Sequence, residues 1–184
     1  MSVSEPFILD KKSRAVCWIA LLIGAGLFIY SLQTMMNGPH QMRQAASAFP
    51  GYYFCTEETN ILYPHIGARG VSTGVAISEF PLYAYTLGQI CRLKGGWDEA
   101  TPRLVSMFFA LIAAWLFWRI LESKYGVRKN SLLFFVTIFI LCPVSWTFFT
   151  IPMPESTALM LFGLSGFFWI CQPKSWGWQV AGAF

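Results

Sequence analysis

Charge is what this chain has least of. Only 12% of its 184 residues are Asp, Glu, Lys or Arg, against 55% hydrophobic and 17% aromatic. A soluble domain carries about a quarter charged residues, so the solvated shell of a soluble fold is missing. The interiors of the long apolar runs hold no Lys, Arg, Asp or Glu, which argues against a proton relay or ion path. The net charge of +4 is scattered between those runs and forms no nucleic-acid-binding patch. The five cysteines make no C-x-x-C pair and no metal-ligand spacing. Cys17, Cys142 and Cys171 fall in apolar runs, where small thiols behave as core residues. Cys55 and Cys91 share a polar loop and could be bridged if that loop meets an oxidising compartment, a pairing that spacing alone leaves open. A Walker A loop, a dinucleotide-binding glycine turn, G-x-S-x-G and H-E-x-x-H are all absent. No internal repeat and no cleavable signal are evident, since the apolar segment after Lys11, Lys12 and Arg14 is long and lacks a small-x-small cleavage site.

What is there are apolar runs of about the length that crosses a hydrocarbon core as helix. Four spans are expected: about Ala15 to Met35, Thr101 to Leu121, Ser131 to Thr150, and a shorter one from Pro154 to Cys171. Eight of the thirteen basic residues lie on one side of these spans: Lys11, Lys12, Arg14, Arg119, Lys124, Arg128, Lys129 and Lys174. By the positive-inside rule that side is cytoplasmic. The loop over residues 38–100 and the turn "TIPMPES" then face outward, together with six of the nine acidic residues. The polar chemistry is expected outside.

The external loop is not low-complexity linker. "GPHQMRQAASAF" opens with Pro39 at a plausible first helical position and meets no breaker until Pro50. "PLYAYTLGQICRL" sets Leu82, Tyr85, Thr86, Gln89, Ile90 and Leu93 on one face at helical spacing, as in a helix lying on a membrane surface. The segment between them carries glycines, a proline and β-branched residues, and reads as an ordered loop with room for a short strand. The expected fold is therefore an all-α integral membrane protein, with about four transmembrane helices and two amphipathic surface helices in a long first external loop. The whole of 1–184 reads as a single transmembrane module.

Three stretches, taken in order, resemble a known family. "HQMRQAAS" (His40 to Ser47) is similar to a His-Gln-x-Arg-Gln motif soon after a first span, and "NILYPHIGARG" (Asn60 to Gly70) to the segment that follows it. "EFPLYAY" (Glu79 to Tyr85) is similar to a Glu-(Phe or Lys)-Pro-x-x-Tyr block opening a second surface helix. Glu155 falls where relatives often carry a second carboxylate, between the third and fourth spans. Over roughly residues 10 to 172 the chain resembles the polyprenyl-phosphate-dependent glycosyltransferases of the GT-C superfamily, near the protein O-mannosyltransferases and the lipid A aminoarabinose transferase. Family enzymes run to several hundred residues, so the resemblance implies that the chain is the amino-terminal part of a larger GT-C domain, or else a reduced relative. A second departure is chemical: relatives often follow Arg-Gln with Asp-Thr, where this chain has Ala46 and Ser47, and Ala46 cannot take a proton.

The resemblance implies transfer of a sugar from a polyprenyl phosphate to a lipid, glycan or protein acceptor, on the outer face of a bacterial cytoplasmic (inner) membrane with the amino terminus cytoplasmic. Such a reaction needs a base for the acceptor, positive charge or a divalent metal cation for the departing phosphate, and an apolar groove for the lipid tail. Glu79 and Glu155 are the expected catalytic carboxylates, with Glu79 also the candidate metal ligand. Each could instead be an acidic residue in a first helical turn, where the dipole favours it by about 0.3–1 kcal/mol. His40, Arg43 and Gln44 are candidates for phosphate or sugar, or else a headgroup-facing basic helix. His65 and Arg69 are candidates for lining a substrate path, or else plain loop residues. Tyr83 belongs to the same block as a candidate substrate contact, with interfacial anchoring as the other role for it and Tyr85. The competing function is a non-catalytic membrane module that binds a lipid or partner protein, motivated by Ala46 and the short chain. A transporter ranks third.

Overall fold

The computed structural model describes residues 10–33, 41–57, 60–65, 81–126 and 131–171. Its described elements are seven α-helices: α1 (Lys11–Leu32), α2 (Gln41–Thr56), α3 (Leu82–Lys94), α4 (Ala100–Tyr125), α5 (Leu132–Leu141), α6 (Pro143–Thr150) and α7 (Glu155–Cys171). Two of them, α1 and α4, are long and apolar enough to cross a membrane, and α5 with α6 joins them if the bent pair counts as one span. Helix α7, at 17 residues, is a shorter apolar helix.

Helix α1 starts where Asp10 accepts a hydrogen bond from the Ser13 backbone N–H at 2.9 Å, satisfying one of the orphan donors of a helix start. Most of its large apolar side chains, Trp18, Ile19, Leu22 and Ile23 among them, stay exposed. It touches α5 and α6 at Gly24, where an added Cβ would come within 2.7 Å of Leu141 Cδ2. The glycine is what lets these helices approach.

The expected third span is not continuous. It breaks at Cys142 into α5 and α6, whose axes differ by 73°. Pro143 explains the break: proline has no N–H for the ladder, its ring opposes the carbonyl four residues back, and the residue before it is pushed out of the helical region. Cys142 takes φ −55° and ψ 128° accordingly, while Pro143 itself is well placed at the first position of α6.

Helices α4 and α7 pack against each other along much of their length. Ala110, Ala113 and Ala114 on α4 are at most 1% exposed. Gly163 of α7 would bring a Cβ within 3.3 Å of Leu116, and Gly166 one within 3.3 Å of Ile120. Small residues on both sides allow close dispersion contact between the two helices. Contacts rise together along both chains (Ser106 with Met153, Leu116 with Gly163, Ile120 with Gly166), so the two helices run in the same direction.

The pair α2–α3 also runs parallel. Gly51 packs on Ala84 and Leu87, Gly88 on Phe54, and Cys55 is disulfide-bonded to Cys91, again with numbers rising together. Two expectations are corrected here. Helix α2 does not stop at Pro50 but continues through it to Thr56; tertiary packing of Gly51 and Phe54 against α3 overrides the proline's cost of about 3 kcal/mol. Helix α3 buries Tyr83, Ala84, Leu87, Gly88 and Cys91 rather than the face beginning at Leu82, and Leu93 is 88% exposed. The small residues Ala84 and Gly88 select the buried face because they allow close contact with α2. The disulfide left open by the spacing is formed, and Arg92 adds hydrogen bonds to the carbonyls of Cys55 and Glu57 just past the end of α2. Most of the residues expected to form an ordered loop, 66–80, lie outside the described residues.

Candidate functional site

Because α2 and α3 run parallel, their first turns lie at one end of the pair. The first turn of α7 reaches the same place. Tyr83, in the first turn of α3, donates its hydroxyl hydrogen to the Pro102 carbonyl at 2.9 Å and stands 3.0 Å from Ser106 Oγ on α4. Ser106 in turn bonds Met153, two residues before α7 begins. These contacts bring three helix starts around one open cavity of about 270 Å³, lined by Arg43, Leu82, Tyr83, Pro154, Glu155, Thr157, Ala158 and Leu161. Each helix start carries roughly half a positive charge on its unsatisfied N–H groups.

At the cavity, Arg43 Nη2 of α2 is paired with Glu155 Oε1 of α7. The Arg43 side chain is 53% exposed and that of Glu155 30%. Glu155 Oε2 is buried and has no hydrogen-bond partner among the described residues, and the same holds for Thr157 Oγ1. The remaining lining is apolar. The arrangement therefore offers one guanidinium, one half-satisfied carboxylate and one hydroxyl on a hydrophobic floor.

The structure thus brings Arg43, Tyr83 and Glu155 together. Tyr83 is 2% exposed, so its position is that of a buried strut and not of an interfacial anchor. Burial pushes its phenol pKa well up, the Ser106 hydrogen bond works the other way, and the Glu155 charge raises it further. The phenol stays protonated, and its oxygen is engaged by Pro102 and Ser106. Gln44 is fully buried and is not among the lining residues. His65 is placed elsewhere: its Nδ1 lies 2.9 Å from Glu57 Oε2, beyond the far end of α2. From Arg43 to Thr56 the helix rises about 20 Å, so His65 and Arg43 do not share a site within one copy of this fold. His40, Arg69 and Glu79 lie outside the described residues.

A divalent cation fits the described residues poorly. Among them no group of three His, Cys, Asp or Glu side chains could hold a metal, and the cavity's described lining offers one carboxylate, already paired with a guanidinium. Like charge beside a cation raises the cost of binding it, so no step below is routed through a metal.

Neither a protein-family model, nor a curated protein, nor a solved structure matches this chain.

Proposed function

We propose that this chain forms the outer-face polar site of a membrane glycosyltransferase that uses a polyprenyl-phosphate sugar donor. The observation that carries the reading is the meeting of Arg43 and three helix starts at an apolar cavity. Helix starts and guanidinium groups both favour phosphate oxygens, and an apolar floor suits the first part of a lipid tail. Helices α1 and α4 and the bent α5–α6 pair are read as membrane spans, with α7 beside them as a shorter fourth. The basic ends of α1 and α4 face the cytoplasm under the positive-inside rule. The disulfide supports an oxidising outer compartment for the α2–α3 pair.

In this reading Glu155 occupies the anion's place until the donor arrives. A lipid phosphate competes for Arg43, because the guanidinium can give paired donors to either anion. The displaced carboxylate then faces the acceptor hydroxyl as base: the acceptor oxygen bonds the sugar carbon as the sugar–phosphate bond breaks, the proton passes from the acceptor oxygen to Glu155, and the polyprenyl phosphate leaves paired with Arg43. The base expected at Ala46 is supplied from α7 instead, and inversion at the sugar carbon is what the superfamily resemblance implies.

The test is sugar transfer by the full-length protein in bilayers. Replacing Glu155 with Gln should lower turnover by roughly 10²–10⁴-fold, the usual contribution of a positioned base, while Arg43→Ala should chiefly weaken donor binding. Unchanged turnover in Glu155→Gln removes the catalytic assignment. The Arg43–Glu155 pair also favours a second reading, a lipid-binding module without chemistry; saturable binding of a lipid-linked sugar with no transfer by the full-length protein would select it.

A further inference from the structure

Thr157 lies in the first turn of α7, where the helix supplies no carbonyl four residues back for its hydroxyl. Threonines in helices ordinarily return their hydroxyl hydrogen to the carbonyl three or four residues back. Five others here do so: Thr56, Thr86, Thr137, Thr147 and Thr150 each donate to the carbonyl of residue i−4, at 2.7 to 3.1 Å. Thr157 does not. Its i−4 carbonyl, that of Met153, is approached instead by Ser106 Oγ and Ser156 Oγ, each at 3.4 Å. The Thr157 hydroxyl is left buried with no partner among the described residues, in a residue only 4% exposed that lines the Arg43–Glu155 cavity. A buried hydroxyl without a partner is costly. Glu155 Oε2 is in the same position two residues earlier.

We infer that Thr157 Oγ1 and Glu155 Oε2 are the two halves of a subsite for a sugar hydroxyl. The chemistry selects that class. An ionised carboxylate oxygen can only accept, so its missing partner must donate. Threonine can donate or accept. A polyol satisfies both atoms, one hydroxyl giving its hydrogen to Glu155 and the same or a neighbouring hydroxyl receiving one from Thr157. A bare phosphate would present only acceptors and a second negative charge to Oε2. Phosphate therefore sits on the Arg43 side of the cavity and the polyol on the Thr157 side. This division rests on the glycosyltransferase reading above and adds to it the residue that recognises the sugar. Thr157 is a binding residue here, and no bond is made or broken at it.

The experiment uses the full-length protein in lipid nanodiscs and two short probes with the same tail, hexyl β-D-glucoside and hexyl phosphate. Thr157→Val keeps the shape and removes the hydroxyl; Thr157→Ser keeps the hydroxyl. Without ligand, Thr157→Val should melt no lower than wild type, because it deletes an unsatisfied group. Its glucoside affinity should fall roughly three- to tenfold, the worth of one hydrogen bond, with Thr157→Ser within about twofold of wild type. Hexyl phosphate should bind Thr157→Val normally and Arg43→Ala weakly. Titrating both probes together identifies the sugar's source: joint occupancy assigns the hydroxyl to an acceptor, mutual exclusion to the donor, and either keeps it at Thr157. Unaltered glucoside binding by Thr157→Val, with phosphate still dependent on Arg43, overturns the hydroxyl subsite and leaves the transferase reading standing. A lowered melting temperature in Thr157→Val with unaltered glucoside binding also overturns it, by exposing a structural partner. Failure of hexyl phosphate to bind wild type sinks the reading beneath both.

Discussion

Replacing Gly88 with alanine tests the geometry that creates the cavity. Gly88 sits within α3, where alanine is the better helix former by about 0.8–1.0 kcal/mol. Propensity alone therefore forecasts a more stable protein. The packing forecasts the opposite. A Cβ on Gly88 would lie 2.3 Å from Phe54 Cβ, 2.9 Å from the Phe54 carbonyl carbon and 3.2 Å from the Gly51 carbonyl oxygen. None of these is the free end of a flexible side chain, so α2 and α3 must move apart. Overpacking of this kind costs about 1–3 kcal/mol, and fixed backbone neighbours put it at the upper end. Setting about 3 against about 1 leaves a net loss of about 2 kcal/mol.

The assay is thermal unfolding in nanodiscs with the Cys55–Cys91 bond scored by gel mobility. Gly26→Ala in α1 is the control: a Cβ there meets nothing within 4 Å, so only the propensity gain of up to about 1 kcal/mol applies. Gly88→Ala should melt earlier and oxidise less completely, because the same contact that seats Phe54 brings Cys55 to Cys91. If Gly88→Ala melts as late as wild type with the disulfide fully formed, the close parallel pairing of α2 and α3 is wrong. The convergence of their first turns on one cavity would fall with it.

Two other perturbations follow from the same part of the fold. Removing the disulfide by Cys55→Ser opens a loop of sequence separation 36, which the chain-entropy relation values at about 4 kcal/mol; equal denaturation midpoints for the oxidised wild type and the serine variant would refute a bridged α2–α3 pair. Asp98 accepts from the backbone N–H of Ala100 and Thr101 at the start of α4, and from Lys94 and the Thr101 hydroxyl. Burial pushes its carboxyl pKa up, but those hydrogen bonds outweigh burial and hold it below the usual value. A depressed folded pKa gives stability that is complete above the unfolded value of about 3.9 and is lost as pH falls through the lower folded value. Asp98→Asn should flatten the melting temperature across that acid window, and a variant with the same acid dependence as wild type would refute the assignment.

The helical class was legible because composition and apolar runs decide it before any detail does. The break at Cys142 was also written in the sequence, as Pro143, but average hydropathy does not register a lost N–H. The opposite error occurred at Pro50. There the breaker is plain and the helix ignores it, because Gly51 and Phe54 gain more from α3 than the proline costs. Local chemistry predicts the direction of such conflicts only when the partner helix is known. The buried face of α3 was misread for a related reason. Leu82, Ile90 and Leu93 make the more apolar stripe, whereas the close approach to α2 rewards small residues, Ala84 and Gly88.

The site divides along the same line. Arg43 and Glu155 could be singled out singly, as polar residues between the apolar runs of the chain, and their contact could not. It requires two parallel helix pairs, α2 with α3 and α4 with α7, joined through Tyr83 and Ser106. Thr157 gave no signal at all. Its hydroxyl is unpartnered among the described residues, four residues after a carbonyl that precedes α7 and that Ser106, on another helix, and Ser156 approach, and that surrounding exists only in three dimensions. The same geometry bears on Ala46. An acid at that position would sit three residues after Arg43, beside it on α2. Glu155 meets the same guanidinium from α7. The carboxylate missing from one helix is thus present at the shared partner from another, and Ala46 by itself is no argument against base catalysis in this cavity.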